Sequence, residues 1–172
     1  MIDYKTLIIK WHKKAVVEDD PFSCFIFQYL AFIALISKYA YSSCSTDREV
    51  IDNLKRDSKI KSKYLESLVI GDVEDAWDAI SEELNTRPLG LGNLGNRDVR
   101  ENSHWDVQNG NHSGVIRNTE DWANMVECVY SIRINLFHGS KNPDNKRDQL
   151  LITNGQLVLK PLVEILINEY LQ

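Results

Sequence analysis

Arg133 and His138 stand five residues apart with Asn135 between them, at the end of an apolar periodic segment that Gly139 stops. On an ideal helix that separation is about 7.5 Å of rise and roughly 140° of rotation, so the side chains do not stack but can converge on one object at the helix end. A phosphate fits that gap. Guanidinium is a permanently charged bidentate phosphate clamp, and imidazole is the side chain best suited to passing a proton near neutral pH. A helix C-terminus carries partial negative charge, which favours protonated His138 but opposes an approaching anion. Arg133, Lys141, Lys146 and Arg147 are the nearby cations that offset it, and a second copy of the helix in a dimer would double the supply. A purely structural reading stays open beside this one. In it Arg133 pairs with an acid such as Glu127 or Asp121, and His138 before Gly139 is an ordinary dipole partner.

Other chemistry has weaker support. Leu89-Gly90-Leu91-Gly92-Asn93-Leu94-Gly95 contains a literal GxGxxG, but a dinucleotide site needs a strand before it and a helix after it. Here a helical pattern precedes it and an aperiodic polar stretch follows, so it reads as a turn. His104 and His112, near Asp98, Glu101 and Asp106, lack the tight spacing that converges metal ligands, and read as loop histidines. His12 reads as a surface or boundary residue. No GxSxG, HExxH or P-loop pattern occurs. No metal site and no cofactor is expected.

The elements that must hold Arg133 and His138 read as helices throughout. Apolar positions recur at helical spacing over about 4–17, 21–41, 73–84 and 120–138, and over 146–170, where Asn154-Gly155 and Pro161 predict a weak point and a kink. Asp19-Asp20-Pro21 is a start signal for the second helix, and Thr46 with Glu49 is a capping-box pattern opening a third. The third helix continues into the most basic stretch, Lys55, Arg56, Lys59, Lys61 and Lys63, which is either a solvated face or a phosphate-tracking one. Residues 85–117 lose all periodicity and form the obvious insertion. The expected fold is therefore all-α: an antiparallel bundle of about five to six helices, one domain over 1–172, with a long loop before the motif helix.

Composition narrows the setting. Apolar residues at 43% and charged residues at 26% are the balance of a folded globular chain. A net charge of −5 argues against coating nucleic acid by bulk electrostatics, while leaving a local basic groove open. Cys24, Cys44 and Cys128 are an odd number at wide spacing and read as reduced thiols. Residues 22–36 are apolar but short of the roughly 20 that a span needs. The expectation is a soluble, cytoplasmic protein with no membrane role.

Ser131-Ile132-Arg133-Ile134-Asn135-Leu136-Phe137-His138-Gly139-Ser140-Lys141, followed by Arg147-Asp148-Gln149-Leu150-Leu151, resembles the diagnostic end of HEPN domains, which carry an R-x4-6-H motif of the type RNxLFHG-K and then an RD-x-x-L helix. The likeness covers the final third of the chain. It implies a helical bundle that dimerises so that two motifs share a cleft, and a metal-independent endoribonuclease of a toxin–antitoxin or phage-defence system. Under it Arg133 binds the scissile phosphate and His138 is the general base or acid. The nucleophile is the RNA's own 2′-hydroxyl and the product a cyclic phosphate. Lys141, Lys146 and Arg147 become RNA-binding residues. The implied partners are RNA, a second copy of the chain and an antitoxin such as a nucleotidyltransferase. One position departs from the pattern: active members place a polar residue directly after the arginine, where this chain has Ile134. Asn135 is the polar candidate for that role, and an inactive HEPN module that binds RNA, nucleotide or a protein is the alternative.

Overall fold

The computed structural model describes residues 2–68, 71–89, 104–107, 113–137, 142 and 144–172. Its elements are helical: α1 (Tyr4–Val16), α2 (Pro21–Leu35), α3 (Asp47–Arg56), α4 (Ser58–Ser67), α5 (Asp72–Thr86), α6 (Trp122–Phe137) and α7 (Lys146–Tyr170). A π-helical turn, Ile36–Ala40, extends α2. Among the described residues there is no strand, and the all-α expectation holds.

Local chemistry sets most of these boundaries. Asp20 caps α2 by accepting from the Ser23 amide at 2.9 Å, with Pro21 at the first helical position where no amide is missed. Thr46 accepts from the Glu49 amide at 3.2 Å, and Glu49 reaches back to the Ser45 amide at 2.7 Å. The two together close the α3 N-terminus as a capping-box arrangement does. Asn145 does the same for α7, accepting from Arg147 and Asp148 amides at 2.9 and 3.2 Å.

The single third helix read from the sequence is two helices. Asp57 leaves helical geometry, ends α3 and caps α4 by accepting from the Ile60 amide at 2.9 Å. Its other oxygen takes the Tyr41 hydroxyl at 2.8 Å, which ties the break to the end of the π-helical turn. This split is why seven α-helices are found among the described residues where five or six were expected.

Helices α2 and α7 lie against each other, with α1 on α2, α4 and α5 on α7, and α3 on α6. Phe25, Tyr29, Phe32 and Leu35 of α2 are buried to 1% or less and meet Ile132 of α6 and Ile152, Leu159, Val163 and Leu166 of α7 in one core. The buried polar tips in that core are mostly satisfied. Trp77 Nε1 donates to the Tyr64 hydroxyl at 2.9 Å, which donates to the Val158 carbonyl at 2.8 Å, and Trp122 Nε1 donates to the Leu54 carbonyl at 3.0 Å. By length and composition alone, Pro21–Ala40 and Lys146–Tyr170 are each long and apolar enough to cross a membrane. The first reaches that length because the π-helical turn prolongs it. Here both helices supply the core.

Gly155 does not interrupt α7, which runs unbroken through Asn154, Gly155 and Pro161. It is a contact point instead: a Cβ there would sit 3.2 Å from Phe25 Cε2 and 3.4 Å from Ile132 Cδ1, so α2 and α6 approach where α7 has no side chain. Gly155→Val, whose extra methyls enter that contact, is expected to cost about 1–3 kcal/mol. A urea midpoint that falls at unchanged slope checks this, and an unchanged or raised midpoint contradicts the close approach.

Candidate functional site

Arg133 lies on the last turns of α6, one helical turn before Phe137. Its guanidinium carbon is 5.5 Å from the Tyr29 ring centroid and 5.1 Å from that of Phe137, so two aromatic rings hold the charge in place. Among the described residues the nearest carboxylate is Asp47 on the first turn of α3, with Nη2 to Oδ2 at 3.9 Å, beyond hydrogen-bond reach. Arg133 keeps 27% side-chain exposure and Asp47 46%. The buried Arg133 Nε has no hydrogen-bond partner among the described residues. The Tyr29 hydroxyl is likewise buried without one, and burial pushes its ionisation well above the usual phenol range.

The acids that a structural role for Arg133 would need are taken. Glu127, buried on α6, receives Arg48 Nη1 and Nη2 at 3.0 Å each, a bidentate clamp, and Lys55 Nζ on the same carboxylate. Asp121 receives the Arg117 amide and Nε at 2.9 Å, Arg117 Nη2 at 2.6 Å and Asn124 Nδ2 at 2.9 Å. Arg48 also lies 4.6 Å over the Tyr130 ring. Cations from α3 and the loop thus neutralise Glu127 of α6 and Asp121 just before it, and among the described residues Arg133 is left with a distant acid.

The same network anchors the insertion. Lys55 Nζ donates to the His104 carbonyl at 2.8 Å, Asn124 exchanges hydrogen bonds with the Asp106 backbone at 2.7 and 3.0 Å, and Arg117 reaches the Asp106 carboxylate at 3.0 Å. At the loop's stem Leu89 donates to the Gly114 carbonyl at 2.9 Å. Gly114 has φ +86°, and a Cβ there would stand 2.5 Å from the Leu89 carbonyl oxygen, so only glycine closes this stem. Gly90, Gly92, Gly95, Asp98, Glu101 and His112 lie outside the described residues.

The expected site residues divide three ways. Arg133 is half-buried at the helix end as described, and Asn135, two residues on, is also half-buried. Lys146 is exposed at the start of α7, whereas Arg147 is drawn inward: its Nε lies 2.7 Å from Glu83 of α5 and its Nη2 donates to the Arg87 carbonyl. Burial lowers the Arg147 pKa. His138 and Lys141 lie outside the described residues. In the basic stretch Lys55 pairs with Glu127, and Lys59 and Lys63 both pair with Glu169 of α7. Those three cations bind acids of the chain itself. His12 bridges helices, with Nδ1 3.2–3.3 Å from the Gln28 amide group and Nε2 3.9 Å from Glu164.

Tyr29 and Asp47 escaped the sequence reading, because nothing local in sequence links them to α6. Phe137 carried a signal, since position i+4 from Arg133 shares its helix face. Cys24 and Cys44 are half-buried and Cys128 is buried. Three comparisons with known proteins return nothing: no family model, no curated protein and no solved structure matches this chain.

Burial raises the Asp121 carboxyl, but the donors from Arg117 and Asn124 outweigh it and hold its pKa below the usual value. A depressed folded-state pKa contributes stability that is present above the unfolded value, about 3.9, and is lost as pH falls through the folded one. Asp121→Asn is therefore expected to be less stable than wild type at pH 7, with the gap closing at acid pH. Urea unfolding from pH 7 down to pH 3 measures it, and a gap independent of pH contradicts the ionised Asp121 network.

Proposed function

We propose that this chain is a HEPN-type, metal-independent endoribonuclease acting in defence or as a toxin, with Arg133 and His138 at the site of a symmetric dimer. The observation that carries the reading is the state of Arg133: a guanidinium 27% exposed beside two rings, whose nearest carboxylate among the described residues is 3.9 Å away, beyond hydrogen-bond reach. A cation so placed has hydrogen-bonding capacity left for a phosphate. Arg48 and Arg117, by contrast, spend theirs on carboxylates.

The chemistry follows from the residue types in the motif. Arg133 holds a non-bridging phosphate oxygen and offsets the charge that grows on it as the 2′-oxygen attacks. His138 takes the 2′-hydroxyl proton or returns one to the departing 5′-oxygen, a role suited to imidazole near neutral pH. The new 2′-oxygen–phosphorus bond replaces the 5′-oxygen–phosphorus bond, which leaves a 2′,3′-cyclic phosphate and a 5′-hydroxyl. Asn135 is the polar neighbour that would orient the phosphate or imidazole. Lys141 and Lys146 would extend the positive field along the RNA, and Arg147 would add to it while pinning α7 to α5. RNA, a second copy and an antitoxin are the partners of this reading, and its setting is the cytoplasm.

Ile134, apolar directly after the arginine, favours a second reading in which the same module binds RNA, nucleotide or a partner protein without turnover. Incubating purified protein with labelled RNA in EDTA separates the two. Catalysis predicts that Arg133→Ala and His138→Ala each reduce cleavage by about 100-fold or more, the scale on which general acid–base and charge-stabilising groups act. Circular dichroism should be unchanged. Equal activity in both variants contradicts the assignment, and RNA bound but uncut by the wild type selects the binding module.

A further inference from the structure

Arg133 lies beside two rings, one in the core and one at the surface. Tyr29, at 1% exposure, is the inner ring, and the guanidinium stands 5.5 Å from its centroid. Phe137, at 53% exposure, is the outer ring, 5.1 Å from the same guanidinium. A phenyl ring this open forgoes about half of the free energy of burial. The guanidinium on one side fixes the ring while more than half of the residue faces water. A ring so held beside a cation has the composition of a nucleotide subsite: charge for the phosphate and an aromatic face for the base.

We propose that Phe137 is a base-stacking platform, on which an unpaired nucleobase next to the Arg133-bound phosphate rests. The proposal rests on Arg133 as the phosphate-binding residue of the reading above. In A-form duplex the bases are stacked on one another and the backbone is what a protein meets, so a duplex can use Arg133 but not Phe137. Single-stranded RNA can use both. Asp47 completes the selection, because a carboxylate 3.9 Å from the guanidinium weakens capture by phosphate alone and makes the stacked base matter more.

The test is fluorescence anisotropy with a labelled 2′-O-methyl oligoribonucleotide, which resists attack by its own ribose, presented single-stranded and annealed to its complement. Loss of one stacked base is expected to weaken single-strand binding by about five- to a hundredfold. Phe137→Ala and Phe137→Leu should both show it, with duplex binding changed less than about twofold, while Phe137→Trp retains wild-type affinity. The leucine variant keeps apolar bulk, so its failure isolates the aromatic face. Equal losses for both RNA forms, or no loss for either, overturn the platform, even where Arg133→Ala abolishes both and the phosphate reading stands. Wild-type protein that binds neither form overturns the phosphate reading and the platform with it.

Discussion

A carboxylate withdrawn from water must have cations beside it or give up its charge, and Glu127 in the middle of α6 meets that demand from α3. Arg48 and Lys55, two turns apart on α3, both end on it. That requirement fixes where α3 lies along α6. With α3 in this register Asp47 comes beside Arg133, Arg48 over Tyr130, and Lys55 within reach of the His104 carbonyl. The helix that carries the motif and the insertion that precedes it are thus held by one buried charge and its two partners. Removal of either side would leave an uncompensated charge in the interior, which costs far more than a surface pair.

This arrangement also separates the arginines by role. Arg48 saturates an acid on α6, Arg117 one just before it, and Arg147 pairs with one on α5. Arg133 shares the neighbourhood yet meets rings rather than a carboxylate within hydrogen-bond range. Rings hold a guanidinium in orientation without occupying its N–H groups, so the charge is positioned and still available. That is the condition a phosphate clamp has to satisfy.

Periodicity and capping residues made the helices legible: Asp20-Pro21, Thr46 with Glu49, and the long apolar rows of α2 and α7 all act within a few residues of chain. The break at Asp57 was not legible, because Asp and Ser within a helical pattern do not reveal that Tyr41 will claim one carboxylate oxygen. Gly155 looked like a weak point because propensity counts against glycine in a helix, whereas Phe25 of α2 and Ile132 of α6 occupy the space its missing side chain leaves. The basic stretch gave the sign of its charge but not its use, since Glu127 and Glu169, which bind three of its lysines, lie far along the chain. At the site the same division holds: Arg133 and Phe137 are neighbours by spacing, while Tyr29 and Asp47 join them only through packing.

The central claim is that this site cuts RNA with the RNA's own 2′-hydroxyl as nucleophile, and the most direct measurement uses one oligoribonucleotide in two forms. The first form is all-ribose, and the second carries a single 2′-deoxy substitution at the mapped cleavage position. Both are incubated with purified protein in EDTA and their product ends read by mass spectrometry. The account predicts cleavage of the all-ribose strand to a 2′,3′-cyclic phosphate and no cleavage at the substituted position. Cleavage at that position, a linear phosphate formed directly, or intact all-ribose RNA would contradict it.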